Sequence, residues 1–231
     1  DLSKIASSDK VKKVQKDFEA THVRPERLMK TLFTDEAYVK ANVDEARLMR
    51  RLFDLACNMQ SHDTDMQLYS LFTDEECYDL WSCNNLYWYL THACSPVTDG
   101  LMPYREADLL RNILDRADAA LKEGKNQATL RFGHESCLLP LVALLELNHY
   151  GESYPDVEKL SEQWRAYDIF PMASNVQFVF FHKKGSNDVL VKVLLNEKEA
   201  KLPVKTDVAP YYHWKDVESY YREKLDKYQH I

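Results

Sequence analysis

The chain has 231 residues, 45% of them hydrophobic, enough to bury one large core or two smaller ones. Its 30 Lys and Arg stand against 37 Asp and Glu, and the net charge of −7 argues against a general nucleic-acid binder. No run of about 18 apolar residues is present to span a membrane, and with only five glycines among many Leu, Tyr, Glu and Lys the composition favours helices.

The first hundred residues read as helices. Asp9–Glu19 is polar and charged, a surface helix. Glu26–Phe33 places Leu28, Met29, Leu32 and Phe33 on one face, and Val43–Met59 repeats the pattern with Leu48, Met49, Leu52, Phe53 and Ala56. Such stripes at i, i+3 and i+4 are core-packing faces. The pentapeptide Leu-Phe-Thr-Asp-Glu occurs at 32–36 and again at 71–75. The flanks do not match, so it is a reused helix start and not a domain repeat. Thr73 with Glu76 forms a capping box, which predicts a helix from about Asp74 to His92. Trp81, Asn84, Asn85, Tyr87, Trp88 and Tyr89 lie along it. They could line a pocket, but aromatics at helical spacing are better read as packing.

Ser95–Pro103, with two prolines and Gly100, breaks the pattern and marks the domain boundary. Arg105–Lys122 reads as a helix with Leu109, Leu110, Ile113, Leu114, Ala117 and Leu121 inward, stopped by Gly124. Ala128–Phe132 is β-favouring, Gly133 permits a sharp turn, and Cys137–Leu145 is apolar enough to be a core helix with Pro140 in its first turn. His134, Glu135 and Ser136 then fall at that helix's N-terminus, where free N–H groups and the macrodipole favour an anion. The same residue types also serve as ordinary helix caps. Asn148–Asp168 reads as loop with one helix near Val157–Trp164. Val176–His182 and Val189–Leu195, separated by a polar turn, predict a β-hairpin whose apolar faces call for burial in a larger sheet. A last helix starts at Pro210 with Trp214, Val217, Tyr221 and Leu225 inward.

The five cysteines form no C-x-x-C pair and no zinc-like spacing, so no metal site is expected. Cys57, Cys77 and Cys137 occupy apolar positions and read as buried thiols, and the spacing leaves a disulfide within Cys77–Cys94 open.

The segment FGHESCLLPLVALL (132–145) resembles the second signature of the histidine acid phosphatases, a family that includes phytases and multiple inositol polyphosphate phosphatases. The resemblance extends over FTDEECYDLW, NNLYWYL, FPMASNVQFVFF, VLVKVLLNEKEAKLP and YYHWKDVESYY, nearly the whole chain. It implies an α/β fold (α+β in this stretch), with residues 1–102 a mostly helical insert domain. Residues 103–231 would be the C-terminal portion of a three-layer αβα core. By the same resemblance His134 is a catalytic and phosphate-binding residue, Glu135 is the proton donor, and Gly133 and Ser136 belong to the phosphate-binding turn. Two departures stand out. Glu135 takes the position where the commoner subgroup has Asp, and Ser136 stands where the inositol polyphosphate subgroup has Glu. The family's nucleophilic histidine, in an Arg-His-Gly-x-Arg-x-Pro segment, has no counterpart: His22 has no Arg before it and no Gly after it, and reads as a surface residue.

The chain is therefore expected to be the second half of a phosphatase that acts through a phosphohistidine, inactive without its missing N-terminal half. No cofactor is expected. The implied substrate is a phosphorylated small molecule, an inositol phosphate or another monoester, and the implied location is periplasmic or secreted. A catalytically silent phosphate-binding relative and an unrelated helical interaction domain are the alternatives.

Overall fold

The computed structural model describes residues 1–124 and 127–228. It divides into two compact units, Asp9–Tyr87 on the one hand and Asp1–Ser8 with Trp88–Ile231 on the other. The chain passes between them inside a helix, and the stretch 95–103, where the sequence places its division by family role, lies within the second unit.

After α1 (Leu2–Ala6), which belongs to the second unit, the first unit is built from α2 (Asp9–His22), α3 (Glu26–Leu32), α4 (Glu36–Asn42), α5 (Glu45–Asn58) and most of α6 (Asp74–His92). Most of the expected stripes lie in its core: Leu28, Met29, Met49 and Ala56 are buried together with Val39, Phe72 and Leu80, and Phe33, Leu48, Leu52 and Phe53 pack against them, whereas Leu32, expected on the same face, is exposed. Both copies of the repeated pentapeptide start helices. Asp35 accepts the N–H of Tyr38 at 2.9 Å to begin α4. Thr73 and Glu76 close the reciprocal box at 3.1 and 3.0 Å to begin α6. Arg27 donates to the Glu76 carboxylate, which holds that acid below its ordinary range. His22 is half-buried on α2, stacked on Phe18 at 3.8 Å.

In the second unit a 3-10 turn, Met102–Glu106, leads into α7 (Ala107–Glu123), which Gly124 ends in the left-handed conformation with φ 64°. α8 (Glu135–Leu144) is the spine of this unit, and Leu139–Leu145 are all buried. The free carbonyls at its C-terminal end are taken by α11 (Trp214–Tyr228): Lys224 Nζ donates to Leu144 at 2.7 Å and Tyr221 Oη to Leu145 at 2.7 Å. Trp214, Val217, Tyr221 and Leu225 face inward as expected. Between α8 and α11 come α9 (Leu160–Gln163), α10 (Ala166–Ile169), β1 (Val176–His182), β2 (Val189–Leu195), β3 (Lys198–Glu199) and β4 (Tyr212–His213). β1 and β2 form the expected antiparallel hairpin, in register from Val176↔Leu195 to His182↔Val189. β3 and β4 both pair with β2, on the edge that β1 leaves open.

Several expectations are corrected. Ala128–Phe132 pairs with no strand: residues 127–134 form no regular element and are exposed, with Leu130 at 76% and Phe132 at 94%. A β-favouring segment becomes a strand only when a ladder partner takes its N–H and C=O groups, and no described residue does so here. The hairpin is also less buried than its apolar faces suggest, because the outer edge of β1 has no partner among the described residues, and its side chains are half-buried or exposed. α8 begins at Glu135, two residues early, because the His134 carbonyl accepts from Cys137 and Leu138 N–H at 3.0 and 3.1 Å. Pro140 therefore sits inside the helix and has no N–H to return to Ser136. Cys137 falls on that exposed first turn and is itself exposed, and Cys57 and Cys77 are only partly covered; all five thiols are free. Residues 210–213 do not open the last helix: Ala209–Pro210 is a cis bond, and Tyr212–His213 pair with β2 before α11 starts.

No helix of the described residues is long and apolar enough to cross a membrane.

Candidate active site

The first turn of α8 packs against the 3-10 turn Met102–Glu106. His134 is the N-cap, extended at φ −118° and ψ 163°, and its side chain makes no capping bond. The backbone N–H groups of Glu135 and Ser136 have no hydrogen-bond partner among the described residues. Capping, the ordinary use of such residues, is thus not what these side chains do. The imidazole and the Glu135 carboxyl group are exposed, Ser136 is half-buried, and two free N–H groups stand at the positive end of the helix dipole. A proton carrier, an imidazole and an electropositive backbone end are the chemical parts needed to hold an anion and move a proton beside it.

Gly133 does not serve the turn as expected. Its backbone is not left-handed, and a Cβ there would meet nothing within 4 Å. The glycine leaves open space in front of the helix, not a strained bend.

Sequence reasoning missed two neighbours. His92, the last residue of α6, is buried, with Nδ1 2.7 Å from Thr91 Oγ1. Its ring lies 4.7 Å from Trp88, which in turn packs edge-on to Phe170 at 4.9 Å. Burial pushes the His92 pKa down to about 4, with the Arg105 charge acting in the same sense and the Glu135 charge opposing it. The imidazole is therefore neutral near pH 7. Arg105 is exposed on the 3-10 turn, and the adjacent Glu106 engages the Cys137 thiol. Burial raises the Glu106 pKa despite the nearby arginine. Nothing in the sequence marked His92, since a histidine at the end of an aromatic helix acquires meaning only from what folds over it.

A cavity of about 560 Å³ lies at the other end of α8, lined by residues including Tyr104, Leu144, Glu146, Ser153 and Lys224. Residues 133–136 are not part of its wall. Among the described residues no cluster of His, Cys, Asp or Glu could hold a metal ion.

Residues 4–196 match the family model of the histidine phosphatase superfamily (branch 2). The chain belongs to that superfamily. Its α8 turn occupies the part of the sequence that carries the resemblance. Human multiple inositol polyphosphate phosphatase 1 is 28% identical over 134 residues, which cover 52% of this chain and 27% of that protein. Among solved structures, Bifidobacterium longum multiple inositol polyphosphate phosphatase in complex with inositol hexasulfate matches with a TM-score of 0.73 and 18% identity. That match covers 94% of this chain and 55% of the other. The same enzyme in complex with phosphate matches with a TM-score of 0.64 and 19% identity, over 97% of this chain and 55% of the other. At such identities the likeness is one of fold. This chain spans about half the length of the solved relatives and 27% of the human one. Membership in the superfamily removes the alternative of an unrelated helical interaction domain.

Proposed function

We propose that this chain forms part of a phosphomonoesterase of the histidine phosphatase superfamily that acts on inositol polyphosphates or related esters. In this reading it contributes the phosphate-binding and proton-donating side of the active centre. The observation that carries the reading is the uncapped, exposed His134 beside Glu135 at the start of α8, within the family-matched residues. The fold shared with an enzyme solved in complex with inositol hexasulfate supports the substrate class.

The chemistry divides between this chain and a segment outside the 231 residues. That segment supplies the attacking imidazole, since no Arg-His-Gly tripeptide occurs here. Its nitrogen attacks phosphorus and forms a phosphohistidine as the bond to the ester oxygen breaks. Glu135 gives its proton to the departing alcohol oxygen, then takes one from the water that attacks the phosphohistidine. His134 and the free N–H groups of Glu135 and Ser136 hold the non-bridging oxygens, where negative charge grows in the transition state. Gly133 leaves room for that group to approach. Ala128–Phe132 and the open edge of β1 are the surfaces against which the missing strands pair. As in the family it resembles, the enzyme works in the periplasm or outside the cell.

The test is kinetic. The 231-residue chain alone is expected to show no turnover of p-nitrophenyl phosphate, and activity is expected once a segment bearing Arg-His-Gly is supplied. In that assembly His134→Ala is expected to lower kcat about 10²- to 10³-fold, and Glu135→Gln about 10²- to 10⁴-fold, most for poor leaving groups. Ordinary turnover by the chain alone, or full activity of the assembled His134→Ala variant, overturns the proposal.

A further inference from the structure

The cavity at the C-terminal end of α8 takes no part in the chemistry above. At about 560 Å³ it falls in the range of small-molecule sites, about 300–1,000 Å³. Stretches distant in sequence build its wall: the turns at 94–104, the end of α8 with the turns after it, and Lys224 of α11. Its frame is tightly set. Asp99 and Glu146 are both held at φ 53°, a left-handed backbone that costs free energy for a residue with a Cβ. Such positions persist where the surroundings over-determine them, and they gather at ligand clamps. Glu146 is fixed further because Tyr220 and Lys224 both donate to its Oε2, the lysine at 3.0 Å.

Polar atoms on that wall are left over. The other Glu146 oxygen, the Asp99 carboxylate and the Tyr104 hydroxyl have no hydrogen-bond partner among the described residues. Lys224 directs two of its three N–H groups to Glu146 and to the Leu144 carbonyl, the latter at 2.7 Å, and the third is free. Tyr104 is anchored by its ring, stacked on Tyr228 at 4.2 Å, and Pro103 and Leu144 add apolar wall. Donors and acceptors thus surround an aromatic and aliphatic face.

Charge decides the ligand class. An anion would meet Asp99 and Glu146, while Lys224 is already paired with Glu146 and has little charge to offer it. A cation would meet the Lys224 ammonium. The Cys94 thiol adds no charge, because burial pushes its pKa up to about 11. A neutral ligand meets no like charge, and hydroxyl groups both donate to the free carboxylate oxygens and accept from Lys224 and Tyr104. A ring bearing them at its edge has C–H faces left for the Tyr104 side of the wall.

We propose that this cavity is a second ligand site, which takes a neutral, unphosphorylated polyol ring, a sugar or a cyclitol. The assignment does not depend on the reading of residues 133–136.

The experiment is an NMR titration of the isotope-labelled 231-residue chain with D-glucose and, separately, with myo-inositol, with inorganic phosphate and spermidine as charged probes. At least one polyol is expected to give saturable amide shifts mapping to 94–104, 143–153 and 220–228, and neither charged probe should produce them. Glucose alone marks a sugar site and myo-inositol alone a cyclitol site. Tyr104→Phe keeps the stack and removes the hydroxyl, and is expected to weaken that polyol about two- to tenfold. Asp99→Gly suits the left-handed backbone and removes the carboxylate, and should weaken it about tenfold. No saturable shift with either polyol, shifts only elsewhere on the chain, or affinity within twofold of wild type in both variants overturns the proposal. So does binding at the cavity by spermidine or phosphate and by neither polyol. An unchanged melting curve in each variant serves as the folding control.

Discussion

The Nδ1 of His213 lies 3.0 Å from both carboxylate oxygens of Asp188, and the other ring nitrogen lies 3.0 Å from Asp207. Carboxylates only accept, so satisfying both contacts requires both ring nitrogens to donate, and the ring is an imidazolium in this arrangement. It joins the start of β2, the strand β4 and the loop before it.

The pH dependence follows from this arrangement. The Asp188 and Asp207 hydrogen bonds hold the His213 pKa above its ordinary value, and His213 in turn lowers that of Asp207. A raised histidine contributes stability that is complete below about pH 6.5 and is lost as pH rises through the folded value. A lowered aspartate contributes above about pH 3.9 and loses its share as pH falls through its own folded value. An NMR titration of the His213 ring should give a midpoint above the ordinary value, and Asp207→Asn should bring it down. A midpoint at or below the ordinary value would contradict the double contact.

Gly151 is the one glycine whose place is set by crowding. A Cβ there would come within 2.5 Å of Glu146 Cγ and 2.9 Å of Glu146 Cα. Glu146 cannot easily yield, since it is held at φ 53° and its carboxylate accepts from Tyr220 and Lys224. Gly151→Ala is expected to cost about 1–3 kcal/mol in urea unfolding. An unchanged midpoint would mean that the 146–151 turn has room to move.

Thr73 and Glu76 should behave as one unit. Thr73→Ala removes a cap worth about 1 kcal/mol. Glu76→Gln weakens the charged contact with Arg27, and the double variant should lose less than the two single losses added, because both take the same box apart. Arg27 holds the Glu76 pKa down, so this contribution is present above the ordinary glutamate value and lost on acidification through the lowered one. A double-mutant cycle at pH 7 and again at low pH reads both effects.

Phe132 offers a contrast. Its side chain is 94% exposed, so Phe132→Lys is expected to change the stability of this chain by no more than about 0.5 kcal/mol. The same substitution should reduce the activity recovered when the upstream segment is added, and should lower self-association in sedimentation. A large loss of stability in the isolated chain would show that the segment is packed and not open.

Much of the local structure was legible because its causes are local. The capping box at Thr73 and Glu76 starts α6 at Asp74, the stripe through Met49 and Ala56 is a core face, and alternating β-formers with a polar turn make the hairpin from Val176 to Leu195. The family was legible as well, because a contiguous series of segments carries it. The errors fall where a residue's state depends on what lies across from it. Ala128–Phe132 has strand chemistry but no ladder partner, and Pro140 moved into a helix interior when the His134 carbonyl captured two N–H groups.

The sequence by itself determined the helical faces and the hairpin, since propensity, capping and hydrophobic period act within a few residues of one another. Only the tertiary structure decided that His134 is left uncapped and exposed, and that a buried, neutral His92 at the end of α6 feels the charge of Glu135. Burial and electrostatic surroundings are properties of residues brought together from distant parts of the chain, and no local pattern encodes them.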